Sequence, residues 1–296
     1  MRLATLTLTL ALAASPAVAQ MVRPENVKAV SAHVQVIPDG SVGLVPNVGL
    51  IVGSKGVLVV DTGLGAKNGA LVAQAAAKAA PGRKIYLVAT HAHPEHDLGA
   101  QAFPGGSVFI RSNDQVADAE AGGMALANRF AQISAVTADL LKDAQQRKAD
   151  VTFGRDYTLD LGGVSAKLIA LGPNHTRGDT AIWVAADKVL FSGDVSMKAQ
   201  PAMMAPATTI AQWNRSLDTL EALKPAVVVP SHGPIGGVEL VQGYRAYLKE
   251  VAERTGAAKA AGLTQEAATA QVIEAMIGRY PDRGRLAGAV LVAWRS

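Results

Sequence analysis

The sequence predicts an α/β protein, and three observations carry that prediction. Short apolar runs rich in Val, Ile and Leu (57–60, 85–89, 226–229) each end in a polar or Gly-containing turn, as buried strands do. Between them lie helix-forming stretches: the alanine-rich 68–80, closed by Pro81-Gly82, and 209–223. The two kinds of segment are mixed in two similar halves, and each half places polar residues just after its buried strands. Layered folds build their sites on such loops.

In chain order, residues 1–19 (MRLATLTLTLALAASPAVA) have Arg2 as a short positive region, an apolar run from Leu3 to Ala14, and the small-x-small motif Ala17-Val18-Ala19. This is the pattern of a cleavable secretory signal, with cleavage after Ala19. The apolar run is well short of the roughly 20 residues that span a bilayer. The expected mature chain, 20–296, is a single domain, periplasmic or secreted, with no membrane association.

Residues 29–37 and 42–52 read as strands, and 57–61 as a short buried strand ending at Asp61 and the turn Thr62-Gly63. Further strands are expected at 85–89 and 108–111. Residues 113–149 contain no proline and repeat apolar positions at helical spacing around Phe130, Ile133 and Leu140-Leu141. They are expected to form a helical cap. Strands follow at 157–161, 164–171, 180–184 and 188–191, then the helix 209–223, the strand 226–229, and a mainly helical part over 236–296.

There are no cysteines, which excludes disulfides, thiolate metal sites and a Cys nucleophile. The net charge of +4 comes from scattered Lys and Arg without a basic run, so the composition gives no nucleic-acid footprint. The expected partner is a small-molecule substrate, and the oligomeric state is open.

Six histidines occur in the chain, and three of them fall within THAHPEHD, residues 90–97. His91 and His93 are two apart on extended chain and so share a side. Pro94 turns the chain, and Glu95 and His96 enter at the start of a helix expected over 97–103. Imidazoles and a carboxylate gathered this way suit zinc-like metals. His175 lies in LGPNHTRGDT, Asp194 in FSGDVS and His232 in VPSHGP, each after an apolar strand. His33 lies within a predicted strand and reads as structural. Asp97 reads as an ordinary negative charge in a first helical turn. Ser192, Ser196 and Ser231 read as loop packing.

Taken in order, H-x-H-x-E-H, the HTRGD loop, SGD, SHG and the earlier VVDTG resemble the metallo-β-lactamase superfamily, over about residues 42–233. The resemblance implies a four-layer αββα sandwich with a dinuclear site at one edge. It implies His91, His93 and His175 as one metal site and Glu95, His96 and His232 as the other. Asp194 would bridge them, and Asp61 would orient a ligand or its loop. Two Zn²⁺ are expected, with an Fe/Zn pair or one Fe as alternatives. The family usually has Asp where this chain has Glu95. Glu95 can ligate the second metal through a shifted backbone, act mainly as a base, or mark a weakened second site.

A dinuclear zinc site activates water for attack on an ester, thioester, lactone or amide, with Glu95 and Asp194 as catalytic carboxylates. Asp194 matches the ligand set of glyoxalase II-type hydrolases, whereas the family's β-lactamases generally have Cys or Ser there. The chain is also similar to exported, quinoprotein-associated zinc metallohydrolases. β-Lactam hydrolysis, a mononuclear iron persulfide dioxygenase and a non-catalytic metal-binding protein are the alternatives. Residues 197–206, with Met197, Met203 and Met204, follow Asp194 closely enough to wall the substrate site.

Overall fold

A strand made only of Val and Leu must be covered on both faces, and the structure uses 57–60 in that way. The computed structural model describes residues 20–198 and 207–295. The expected leader lies outside the described residues, as do Met203 and Met204.

The first half runs β1 (Lys28–Ala29), β2 (Val34–Ile37), β3 (Val48–Val52), β4 (Gly56–Val60), α1 (Gly65–Ala79), β5 (Lys84–Val88), α2 (Pro94–Asp97) and a 3-10 turn over Leu98–Ala102. It continues with β6 (Val108–Ser112), α3 (Asn113–Asp118), a π-helical turn over Ala119–Gly123, α4 (Met124–Ala131), α5 (Ala135–Leu141) and β7 (Val151–Phe153). The seven strands pair in sequence order, antiparallel from β1 to β4 and parallel from β4 to β7.

The second half runs β8 (Asp156–Asp160), β9 (Ser165–Ala170), β10 (Thr180–Val184), β11 (Val189–Gly193), α6 (Ile210–Ala222), β12 (Val227–Pro230), α7 (Glu239–Ala260), α8 (Gln265–Met276) and α9 (Arg283–Arg295). Its five strands lie in the order β12-β11-β10-β9-β8, and only β11 and β12 are parallel.

The two sheets face each other across a core that includes Val36, Leu58, Val60, Val88 and Ile110 from the first and Leu168, Ile182, Val189, Phe191 and Val229 from the second. The outer face of the first sheet packs on α1 through Val57, Val59, Leu87, Val72 and Ala76. The outer face of the second packs on α6, α7, α8 and α9 through Leu190, Trp213, Leu217, Tyr247, Val272 and Val290. The result is the four-layer αββα arrangement. Residues 113–149 are largely helical, and α4 and α5 bury Ala127, Leu140 and Leu141 against Leu64 and Leu98.

The structure corrects four local expectations. Residues 29–37 are not one strand: Lys28 pairs with Val36 in a β1–β2 hairpin, and His33 sits in its bend. The bend is held by the Asp187 carboxylate, which receives Ser31 Oγ, the His33 N–H at 2.8 Å and His33 Nδ1 at 2.7 Å. The strand expected over 42–52 begins only at Val48, because residues 40–44 form a turn with positive φ at Gly40, Ser41 and Leu44. Asp97 stands in the first turn of α2, as expected, but is more than an ordinary helix charge. It is 2% exposed and pairs with the equally buried Arg111 of β6. The helix expected over 97–103 starts earlier, at Pro94, and continues only as the 3-10 turn.

Candidate metal centre

Five strand ends carry the site. β4 stops at Val60, and Asp61 turns the chain in the left-handed region (φ 63°). β5 stops at Val88, the chain bends through 90–93, and His93 is extended (φ −79°, ψ 150°) just before α2. Pro94 suits the first helical position, because its φ is preset and no N–H is needed there. Glu95 and His96 therefore sit in the first turn of α2, facing back over the strand ends. His175 comes from the β9–β10 loop, Asp194 directly follows β11, and His232 follows β12.

The structure brings seven of these residues together in three overlapping groups. Ligand atoms of His91, His93 and His175 lie within 4.8 Å of one another, as do those of His91, His96 and Asp194, and those of Glu95, His96 and His232. His175 Nε2 is 3.2 Å from His93 Nδ1 and 3.4 Å from Asp194 Oδ2. His96 Nε2 is 3.7 Å from Glu95 Oε1. The His91 and His96 rings are 4.1 Å apart, centroid to centroid.

Four donor atoms in this cluster test whether a metal fits. His91 Nε2, His96 Nε2, Glu95 Oε2 and Asp194 Oδ1 are buried and make no hydrogen bond. A buried polar atom left unpartnered is costly. Here such atoms converge, and all are imidazole nitrogens or carboxylate oxygens, so a divalent cation satisfies them together. The residues present fit the metal that the ligand pattern implies.

The charge states agree. Burial, followed by the neighbouring imidazoles, holds His91 well below its ordinary pKa, and burial with His175 brings His93 to about 3. Both rings are therefore neutral at physiological pH. Burial alone would raise Asp194, but His175, His232 and His96 hold it below its ordinary value. For Glu95 burial is likewise outweighed, mainly by His96. His96 is displaced upward, because Asp61 and Glu95 outweigh its burial.

Asp61 sits behind this cluster. Its Oδ2 is 2.8 Å from His96 Nδ1, which leaves Nε2 aimed at Glu95 and His91. Its two oxygens also receive the Thr90 N–H (2.7 Å), Thr90 Oγ1 (3.1 Å) and Ser231 Oγ (3.1 Å). One buried carboxylate thus ties together the loops that carry His91, His96 and His232.

Several supporting residues were not singled out from the sequence. Asp179 accepts the His175 N–H (2.7 Å) and Thr176 Oγ1 (2.6 Å), fixing that loop, and burial raises its pKa to about 7 despite those bonds. Asn47 Nδ2 donates to the carbonyls of Pro230 and Gly233 on either side of His232, both at 2.9 Å. Gln115 of α3 donates to the Ala89 carbonyl (2.7 Å) and to Thr180 Oγ1 (2.9 Å). Thr90 and Asp179 had a signal, since they adjoin the histidine motifs; Ser231, expected only to pack its loop, donates to Asp61. Gln115 had none. Ser192 donates to the Ser196 carbonyl, a loop contact. Met197 is 2% exposed. It packs beside Trp213 and Tyr244 and also lines a cavity of about 450 Å³ next to the second sheet's helices.

A family model described as "Metallo-beta-lactamase superfamily" matches residues 42–232. A curated relative, metallo-beta-lactamase type 2 from Bacteroides fragilis, is 26% identical over 124 residues, which is 40% of this chain and 50% of that protein. The chain thus matches half the length of that relative. Among solved structures, a metallo-beta-lactamase from Pontibacter korlensis superposes with a TM-score of 0.61 at 21% identity, covering 75% of this chain and 98% of the other. A stereoselective inverting sec-alkylsulfatase from Pseudomonas sp. superposes with a TM-score of 0.67 at 18% identity, covering 91% of this chain and 49% of the other. At these identities the structural likeness speaks for the fold, and the family match speaks for descent. The chain belongs to the metallo-beta-lactamase superfamily.

Proposed function

We propose that this protein is an exported hydrolase with two zinc ions, which cleaves an ester, thioester, lactone or amide bond with water. The observation that carries the reading is the convergence of seven His, Asp and Glu side chains, four of which (His91, Glu95, His96 and Asp194) hold buried donor atoms with no hydrogen-bond partner. His91, His93 and His175 would hold one ion and Glu95, His96 and His232 the other, with Asp194 between them. The bound ions supply Lewis acidity, bringing a water's pKa toward neutrality and polarising the bond to be cut.

The chain's own residues do the rest. Asp194 and Glu95 stay ionised and so can take up a proton. As water adds to the acyl carbon, its proton passes to whichever carboxylate oxygen of Asp194 or Glu95 the ions would leave free. The bond to the leaving O, S or N then breaks, and that proton is delivered to the leaving atom. Asp61 keeps His96 oriented throughout. Glu95 acts as a ligand in this reading, because His96 and His232 lie within ligand distance of it.

The test is metal identity and stoichiometry by elemental mass spectrometry on the mature protein, followed by a screen of esters, thioesters, lactones and β-lactams. Two zinc ions per chain and hydrolysis that disappears in Asp194→Ala support the proposal. One iron with oxygen consumption on persulfides would replace it by a dioxygenase reading. An unchanged metal content in His232→Ala would remove the second site.

A further inference from the structure

Two of the loops that carry metal-centre residues run into the cavity of about 450 Å³ beside the second sheet's helices. Met197 lies three residues past Asp194 and Ile235 three past His232, and both line it. α7 supplies Leu240, Tyr244 and Tyr247 to the same cavity, and Tyr280 comes from the connection between α8 and α9. Met197, Leu240, Tyr244 and Tyr247 are buried, so they form its floor.

The rings stand in a row. Tyr244 and Tyr247 are 5.8 Å apart, centroid to centroid, and Tyr247 and Tyr280 are 4.7 Å apart. Behind them Trp213 lies 5.6 Å from Tyr244 and donates its Nε1–H to the carbonyl of Val195, next to Asp194, at 2.9 Å. The aromatic wall is thus tied to the loop that follows the bridging carboxylate. A space of this size, walled by apolar and aromatic groups with few polar ones, has the make-up of a small-molecule site.

One polar atom in the floor lacks an answer. Tyr244 is 3% exposed, and its hydroxyl makes no hydrogen bond. A buried hydroxyl in that state is costly. Burial first, and then Tyr247 and Asp194, hold its pKa well above the ordinary value, so it keeps its proton and can donate. Water in the cavity could accept that bond, but it would also lie against Met197, Leu240 and Ile235, from which its release is favourable. The charges at the rim are engaged or solvated: Arg279 pairs with Glu250, Glu239 accepts the Gly237 N–H at 2.6 Å, and Lys198 is exposed. Gly243 of α7 also lines the cavity. A Cβ there would meet nothing within 4 Å, so packing does not require a glycine inside this helix.

We propose that this cavity binds an uncharged aromatic group carrying a hydrogen-bonding oxygen, which Tyr244 recognises. The group belongs either to the substrate or to a separate small molecule. The inference rests on the hydrolase reading only where those two sources are told apart.

Binding is therefore measured first, by equilibrium dialysis of the metal-loaded protein against 2-naphthol, naphthalene and 2-naphthoate. The variants are first matched to wild type by circular dichroism melts. Tyr244→Phe should weaken 2-naphthol by about threefold to tenfold, as for one neutral hydrogen bond, and leave naphthalene unchanged. Gly243→Trp, at an exposed helix position, should weaken both by about tenfold or more by filling the space. 2-Naphthoate should bind about tenfold more weakly than 2-naphthol, because the floor residues named above offer its charge no cation. The proposal is overturned by any of three results: no saturable binding of 2-naphthol below about millimolar concentration, equal losses for 2-naphthol and naphthalene in Tyr244→Phe, or tighter binding of 2-naphthoate. Hydrolysis of 2-naphthyl acetate and methyl acetate then separates the sources. If the group belongs to the substrate, 2-naphthol competes with the naphthyl ester, and Gly243→Trp raises the KM of that ester alone. If it belongs to a separate molecule, 2-naphthol binds without competing with either ester. If 2-naphthol binds through Tyr244 and neither ester is hydrolysed, the hydrolase reading is weakened and the site stands.

Discussion

At the scale of residues, buried charge is confined to positions where a partner or a metal answers it. Asp61 holds left-handed backbone, a conformation that costs a non-glycine residue about 1–3 kcal/mol, and uses it to reach His96, Thr90 and Ser231. Asp61→Asn should keep the fold but weaken zinc binding by about 10–100-fold, the usual effect of removing a carboxylate that orients a histidine ligand. Competition against a chromogenic chelator measures this, and unchanged affinity would make Asp61 a purely structural tie. Arg111 and Asp97 form a buried pair directly behind α2. Arg111→Ala leaves a buried carboxylate unanswered and should cost about 3–5 kcal/mol in urea unfolding. Adding Asp97→Asn should recover part of that loss.

At the scale of elements, the ligand-bearing turn is set by the close approach of backbone to backbone. A Cβ on Gly99 would stand 2.0 Å from the Thr62 carbonyl oxygen, and one on Gly69 of α1 would stand 2.0 Å from the Gly99 carbonyl oxygen. Thr62 in turn donates its N–H and Oγ1 to the His96 carbonyl at 2.8 and 2.9 Å. An added methyl at Gly99 therefore pushes on the segment that aims His96 and Glu95. Gly99→Ala should lose about 1–3 kcal/mol or more through overpacking and should load less metal. Gly105→Ala, with open space around its Cβ, is the control that should change neither. Circular dichroism melts with parallel metal analysis separate the two outcomes.

At the scale of the whole molecule, the two sheets are joined by more than their apolar core. Asp187, in the β10–β11 turn of the second sheet, receives three donors from residues 31–33 at the edge of the first. Burial would raise its pKa, but the bonds from Ser31 and His33 outweigh burial and lower it. A carboxyl whose pKa is lowered on folding stabilises the fold above its unfolded pKa, and that stabilisation is lost as pH falls through the folded value. Asp187→Asn should therefore be less stable than wild type by about 1–3 kcal/mol at neutral pH. The gap should close as the pH drops below about 4. Denaturant midpoints measured across pH provide the check, and a gap independent of pH would mean that the carboxylate charge is not what holds the bend.

The sequence by itself determined what depends on atom type and local pattern. Metal chemistry needs imidazole nitrogens and carboxylate oxygens at strand ends, so THAHPEHD and the motifs around His175, Asp194 and His232 were legible as a set. Apolar runs showed the buried strands, and the end of an apolar run marked where each polar loop began. Tertiary structure alone decided features whose cause lies far along the chain. The hairpin at 30–33 exists because Asp187, more than 150 residues away, accepts its donors. Asp97 is buried because Arg111 arrives from another strand. β7, a short strand that the sequence did not announce, forms because β6 offers it an open edge. Gln115 braces the metal loops only once α3 has packed beneath them. Arg285 of α9 lines one cavity with Glu95 and His232, and no local pattern around residue 285 encodes that.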